Sequence, residues 1–151
     1  MPADTSTIGQ NTAQLTGYDN AGNVVTISCP YQVKPSYTFS GYVAPINNPP
    51  TVNTGKGGKV YPVKWQLRDS NGSFVSSLSV VAGIVVQPSS CGAFSNDPTD
   101  AIETTSTGSG LRYDSSTTTY IYNWATPGKG CYTLFLKLDS GQVFPAFFNL
   151  F

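Results

Sequence analysis

Residues 118–150, TTYIYNWATPGKGCYTLFLKLDSGQVFPAFFNL, contain three short runs in which apolar side chains recur at every second position. These positions are Tyr120, Tyr122 and Trp124 in the first run, Leu134, Leu136 and Leu138 in the second, and Phe144, Ala146, Phe148 and Leu150 in the third. A period of two is the pattern of a half-buried β-strand. Pro127-Gly128 and Ser140-Gly141 separate the runs and are typical of turns. The stretch therefore predicts three consecutive antiparallel strands.

The same pattern extends toward the N-terminus. Further strands are predicted at residues 12–18, 23–29, 37–43 and 60–68, and one bent strand or two strands at 74–86. Within 60–68, one face carries Val63, Trp65 and Leu67. Short strands separated by regular turns predict an all-β, antiparallel, immunoglobulin-like β-sandwich with Greek-key connections.

Three segments are predicted from composition and pattern. Residues 1–33 contain a hairpin, 34–58 form a linker, and 59–151 form the sandwich. Residues 44–58 are rich in Pro, Asn and Gly, which favours a loop. Residues 88–110 are also predicted to be a loop, held by Cys91.

The charge balance bears on the kind of partner. Eight basic and eight acidic residues make up only 11% of the chain. A neutral chain without a basic cluster lacks the electrostatic signature of a nucleic-acid-binding protein. It contains no apolar stretch of the roughly 18 residues that a membrane-spanning helix requires. We therefore expect no nucleic-acid partner and no membrane span.

The residues that usually carry metals, cofactors and catalysis are scarce. The chain has no histidine, the usual general base of hydrolases and a common zinc ligand. Asp97, Asp100 and Glu103 are near one another in sequence, but a solvated loop is favoured over a calcium site. We therefore expect no cofactor, no metal and no enzymatic activity.

The aromatic residues allow two interpretations. Tyr120, Tyr122 and Trp124, together with Trp65, would bind carbohydrate if their faces were exposed, since exposed rings stack on sugars. A buried row would instead be half of a sandwich core, with Trp65 meeting Trp124 across the two sheets. The core is the favoured interpretation. An isopeptide bond between Lys64 and Asn149 is disfavoured, because Lys64 has the outward phase of its strand.

From about residue 28 onward the chain resembles the PxKF family, modules found in bacterial secreted and surface proteins. The motif of that name corresponds to Pro62-Val63-Lys64-Trp65, with Trp in place of Phe. Other matching motifs, in order, are Tyr37-Thr38-Phe39-Ser40-Gly41-Tyr42, Pro45-Ile46-Asn47-Asn48-Pro49-Pro50, Ser109-Gly110-Leu111-Arg112-Tyr113-Asp114, Tyr120-Ile121-Tyr122-Asn123-Trp124, Gly130-Cys131, Leu136-Lys137-Leu138-Asp139-Ser140-Gly141 and Ala146-Phe147-Phe148. The chain departs from the family at Trp65 and in the short turn at 127–130.

The resemblance implies a disulfide between Cys91 and Cys131, which leaves Cys29 as the third cysteine. It also implies that residues 1–33 are the terminal hairpin of a preceding immunoglobulin-like repeat, and that the protein is secreted or on the cell surface with other domains of the same chain as its partners. The expected function is a non-catalytic accessory module serving adhesion, spacing or anchoring. The alternatives are a carbohydrate-binding module, with glycan as partner, and a strand-exchanging subunit that self-associates through the N-terminal hairpin, because free strand edges invite pairing.

Overall fold

A computed structural model describes residues 3–98, the backbone of 102–105, and residues 110–151. The protein is nearly all β, with 57% of residues in strands and 2% in helix, and its antiparallel sheets pack together as a β-sandwich. The predicted all-β, antiparallel sandwich is therefore confirmed, and its immunoglobulin-like, Greek-key character stays a prediction. The chain divides into two compact units, one up to Pro35 and one from Ser36 to Phe151.

The first unit is an antiparallel hairpin of β1 (Gly9–Tyr18) and β2 (Val24–Val33). Its turn is organised by Asp19, whose Oδ1 accepts hydrogen bonds from the backbone N–H groups of Ala21 and Asn23 at 2.9 and 2.8 Å. Gly22 has φ +85°, a conformation that favours glycine. Both strands lie where the sequence predicted them and are several residues longer.

The second unit contains two sheets. The smaller has the order β3-β5-β9-β8, comprising Thr38–Val43, Val60–Arg68, Thr119–Ala125 and Leu111–Asp114. The larger has the order β4-β11-β10-β6-β7, comprising Val52–Gly55, Val143–Leu150, Gly130–Leu138, Val81–Ser89 and Ile102–Thr105. Strand pairs are antiparallel except β4 with β11, which run parallel.

The core lies between these sheets and follows the predicted alternation. All the inward positions named from the sequence for β5, β9, β10 and the second half of β11 are at most 4% exposed. Trp124 and Phe148 join the two sheets, with ring centroids 4.7 Å apart. Trp65 does not meet Trp124 across the sheets as predicted, because β5 and β9 are neighbours in one sheet and Trp65 pairs with Tyr120.

Residues 36–58 fold with the second unit, although 34–58 was predicted to be a linker. β3 and β4 each form an edge of a sheet, and Ile46 between them is buried. Asn53 of β4 explains why a segment with few apolar anchors is ordered. Its Oδ1 accepts from the Asn47 N–H at 2.7 Å, and its Nδ2 donates to the carbonyl oxygens of Asn47 and Phe147 at 3.1 Å each.

Two other predicted boundaries differ. The segment predicted as one bent strand or two at 74–86 is regular only from Val81 onward, and Leu78–Val80 form a short 3-10 turn. Residues 88–110 are not a continuous loop, since β6 extends to Ser89 and β7 pairs with β6.

Replacing Asn53 with alanine is expected to lower the free energy of unfolding by about 2 kcal/mol, because backbone groups of Asn47 and Phe147 lose their buried partner. Urea unfolding followed by tryptophan fluorescence measures this. Asn47→Ala is the matched control, because Asn47 contributes its main chain to this network. Equal losses in the two variants would contradict the role of the Asn53 amide.

Candidate functional site

The four aromatic residues predicted as a ligand-binding face lie inside the sandwich. Trp65 and Tyr120 are 0% exposed, Trp124 is 1% and Tyr122 is 4% exposed. The larger sheet covers this face, so none of the four rings presents a surface on which a sugar could stack. The carbohydrate-binding interpretation of these residues is therefore corrected in favour of the core.

Two tyrosines of the core, Tyr42 and Tyr120, have buried hydroxyl groups. Tyr42 donates to the carbonyl oxygen of Phe144 at 2.7 Å, and Tyr120 donates to that of Ser77 at 2.9 Å. Burial raises the pKa of Tyr42 and Tyr120 well above the ordinary value of 10.0. The nearby groups Tyr113, Tyr37 and Asp139 raise the pKa of Tyr120 further. Both groups stay neutral and serve the packing of the core.

The predicted disulfide between Cys91 and Cys131 is present, with Cα atoms 5.1 Å apart. It lies on the outer face of the larger sheet, where Phe135 and Thr133 of β10 are 0% exposed although they point away from the core. The segment after β6 covers this face, and Phe94 stacks on Phe147 with ring centroids 4.9 Å apart. The disulfide therefore fastens a covering segment over a second apolar cluster.

The polar candidates do not converge on one site. Lys64 and Asn149, the pair considered for an isopeptide bond, belong to different sheets, and Asn149 is exposed. Of the loop carboxylates, Asp100 and the side chain of Glu103 lie outside the described residues. Asp114 accepts hydrogen bonds from the Ser116 and Thr117 hydroxyl groups at 2.6 and 2.8 Å, which lower its pKa below 3.8. Such contacts are those of a turn.

A cavity of about 240 Å³ opens beside β4. Ile46, Val52, Tyr61, Phe148 and Leu150 are among the residues that line it, and the lining contains no charged side chain. The amide of Asn53, which also contributes to the lining, is engaged by its three hydrogen bonds to the backbone. The lining thus mixes apolar side chains with uncharged polar groups such as Asn47 and Thr54, and it offers no charge that would orient an ionic ligand.

The hairpin of the first unit carries the most exposed apolar surface in the described part of the chain. In the β1–β2 register, the pairs Gly17–Val25, Leu15–Ile27, Ala13–Cys29, Asn11–Tyr31 and Gly9–Val33 lie directly opposite and share one face. We call these ten residues the hairpin apolar face. Leu15, Val25 and Ile27 are 59%, 60% and 55% exposed, and Cys29 is an exposed free cysteine.

The opposite face of the hairpin is mostly polar. It carries Gln10, Thr12, Gln14, Thr16, Thr26, Ser28, Pro30 and Gln32, and ends in the pair Tyr18–Val24. The same alternation is present in the sequence, but the association predicted from the sequence involved only the free strand edges of the hairpin. A two-faced pattern of this kind is normal for a sheet that packs on another sheet.

No family model matches the chain, and no curated protein matches it. The resemblance to the PxKF family therefore stays a prediction. No helix in the described part of the chain has the length and hydropathy needed to cross a membrane.

Proposed function

We propose that this protein is a non-catalytic accessory module at the exterior of a bacterial cell, where it serves adhesion, spacing or anchoring as a secreted or surface-exposed protein. The observation that carries the proposal is the Cys91–Cys131 disulfide, which fastens a segment across the larger sheet. Structural disulfides persist in oxidising compartments and are rare in the cytosol. The module's partners are then other domains of a larger exported protein.

The placement of the aromatic and acidic groups supports a role without catalysis. The aromatic rings of both sheets fill the core, and the Asp19, Asp69 and Asp114 carboxylates accept hydrogen bonds within their own turns. Histidine is absent from the sequence. These aromatic and acidic groups are therefore used in packing the core and in ordering turns.

Trapping thiols in living bacteria that carry this protein tests the proposal. Cells are quenched with an alkylating reagent, separated into exported and cytosolic fractions, and the tryptic peptides are measured by mass spectrometry. We expect the exported fraction to contain the protein, with Cys91 and Cys131 protected from alkylation. A cytosolic protein with both thiols alkylated would overturn the proposal.

The exposed hairpin favours a second function, that of a subunit in an extracellular assembly. A two-stranded hairpin is marginally stable alone in water and gains stability when a hydrophobic face packs on another element. The apolar residues of this hairpin lie on its face, so face packing, rather than strand exchange at an edge, is the form of association that the side chains support.

A further inference from the structure

We propose that the hairpin apolar face packs against the same face of a second copy of this chain, and that the two Cys29 residues form a disulfide across the two-fold axis. This inference rests on the second proposed function, the assembly subunit, and names its partner. The interface is isologous, which means that the same surface patch is used by both copies.

The arrangement of side chains makes the face complementary to itself. Ala13–Cys29 is the third of the five residue pairs and consists of two small side chains. A two-fold axis along this central row places Cys29 of one copy opposite Cys29 of the other. Disulfides between packed sheets occur in β-sandwiches, and the small central row lets the two sheets approach closely enough for one.

The same axis brings together the rows on either side of the centre. The Leu15–Ile27 row of one copy then lies over the Asn11–Tyr31 row of the other, so Ile27 packs on the ring of Tyr31. Asn11 can tolerate this position because its Nδ2 donates to the carbonyl oxygens of Thr7 and Gly9 at 2.7 and 3.0 Å. Both hydrogen-bond partners of this Nδ2 thus lie within its own chain.

Charge does not oppose the pairing of identical copies. The strands GQNTAQLTGY and VVTISCPYQV contain no Asp, Glu, Lys or Arg. Like charges that meet across an interface repel each other. An uncharged face can therefore pack against an identical face without this repulsion. A partner selected by charge would find no complementary group on either strand.

The size of the face explains why a covalent bond is needed. Strands of ten residues, at about 3.4 Å per residue and with about 4.8 Å between strands, give roughly 350 Å² of footprint per copy. Two such footprints fall below the roughly 1,200–2,000 Å² that stable complexes bury. The non-covalent dimer is therefore weak and reversible, and the Cys29 disulfide makes it permanent.

The bond forms by oxidation with a small disulfide such as oxidised glutathione. The Cys29 thiolate of one copy attacks the small disulfide, which gives a mixed disulfide and releases one small thiol. The Cys29 thiolate of the second copy attacks the protein sulfur and releases the second small thiol. Two protein thiols lose two protons and two electrons, and the oxidant gains them.

The test uses the full chain in a redox buffer of oxidised and reduced glutathione at neutral pH. Non-reducing electrophoresis and light scattering after chromatography follow the species over time. We expect the 16.0 kDa chain to convert to a covalent dimer of twice that mass, with a Cys29–Cys29 peptide in the digest. Cys29→Ser is expected to abolish the covalent dimer.

A matched pair of double variants distinguishes a docking face from a merely exposed cysteine. Leu15→Thr with Ile27→Thr changes a cross-strand pair on the apolar face and should slow dimer formation at least about tenfold, since exposed apolar area drives the encounter. Tyr18→Thr with Val24→Thr changes a cross-strand pair on the opposite face and should leave the rate unchanged. Threonine keeps a high strand propensity in both variants.

Dimerisation of the Leu15/Ile27 variant at the wild-type rate would overturn the proposal, because the cysteine would then react without the face. A wild-type chain that stops at the glutathione mixed disulfide would overturn it as well and would indicate a different partner for Cys29. Neither result affects the accessory role, which depends on the cellular location and on the state of Cys91 and Cys131.

Discussion

Replacing both Cys91 and Cys131 with alanine is expected to lower the free energy of unfolding of the second unit by about 4 kcal/mol, because the bond closes a loop that the unfolded chain otherwise leaves open. The two cysteines are 40 residues apart, which sets the size of that entropy term. The expected loss corresponds to a decrease in Tm of about 15 °C for a unit of this size. Urea titration and thermal unfolding by circular dichroism measure the two quantities.

The same double variant should also loosen the covering segment. Phe135 and Phe147 on the outer face of the larger sheet are then expected to become accessible, which an increase in the fluorescence of a hydrophobic dye would detect. Cys29→Ala is the matched control, since Cys29 is an exposed free thiol in the hairpin. If the control lost as much stability as the double variant, the disulfide would not be what holds the covering segment on the sheet.

Raising the pH from 10 to 12 is expected to remove several kcal/mol of stability, because Tyr42 and Tyr120, together with the more exposed Tyr37, hold their protons in the folded state. The pKa of each hydroxyl is raised in the fold above 10.0, the value for the unfolded chain. Below pH 10 both states hold the proton, and the stability is fully present. Between pH 10 and 12 only the unfolded chain releases it, so each pH unit costs about 1.4 kcal/mol per tyrosine.

Urea unfolding at pH 8, 10 and 11.5 would reveal this slope. Tyr42→Phe removes one of these hydroxyl groups, so the variant should lose less stability per pH unit than the wild type, although it also loses the hydrogen bond to Phe144 at neutral pH. Tyr18→Phe, at a residue that is 75% exposed, is the control and should retain the wild-type slope. A wild-type slope in Tyr42→Phe would show that another group causes the alkaline transition.

Local pattern was sufficient to predict most strands of this fold. β5, β9, β10 and β11 have apolar side chains at alternate positions, and each lies within about two residues of its predicted bounds. β4 was missed because its order comes from hydrogen bonds of Asn53 to residues distant in sequence, including Phe147. The four residues of β4, VNTG, show no alternation of apolar side chains from which such a contact could be predicted.

The candidate sites show the same division. The sequence identified Trp65, Tyr120, Tyr122 and Trp124 as a set, but whether such a row is a binding face or a core depends on what covers it. The larger sheet covers it here, so the rings are buried. The hairpin shows the opposite outcome, since an alternation just as regular leaves Leu15 and Ile27 exposed.

The sequence by itself determined the all-β class, the strand periods and the turn positions, because side-chain alternation and the Asp19 and Asp69 turns act within a few residues. Tertiary structure alone decided which apolar faces are buried, which sheet each strand joins and that Asn53 orders an edge strand. Burial is a property of the surface that lies opposite, and that surface comes from residues far away in the chain.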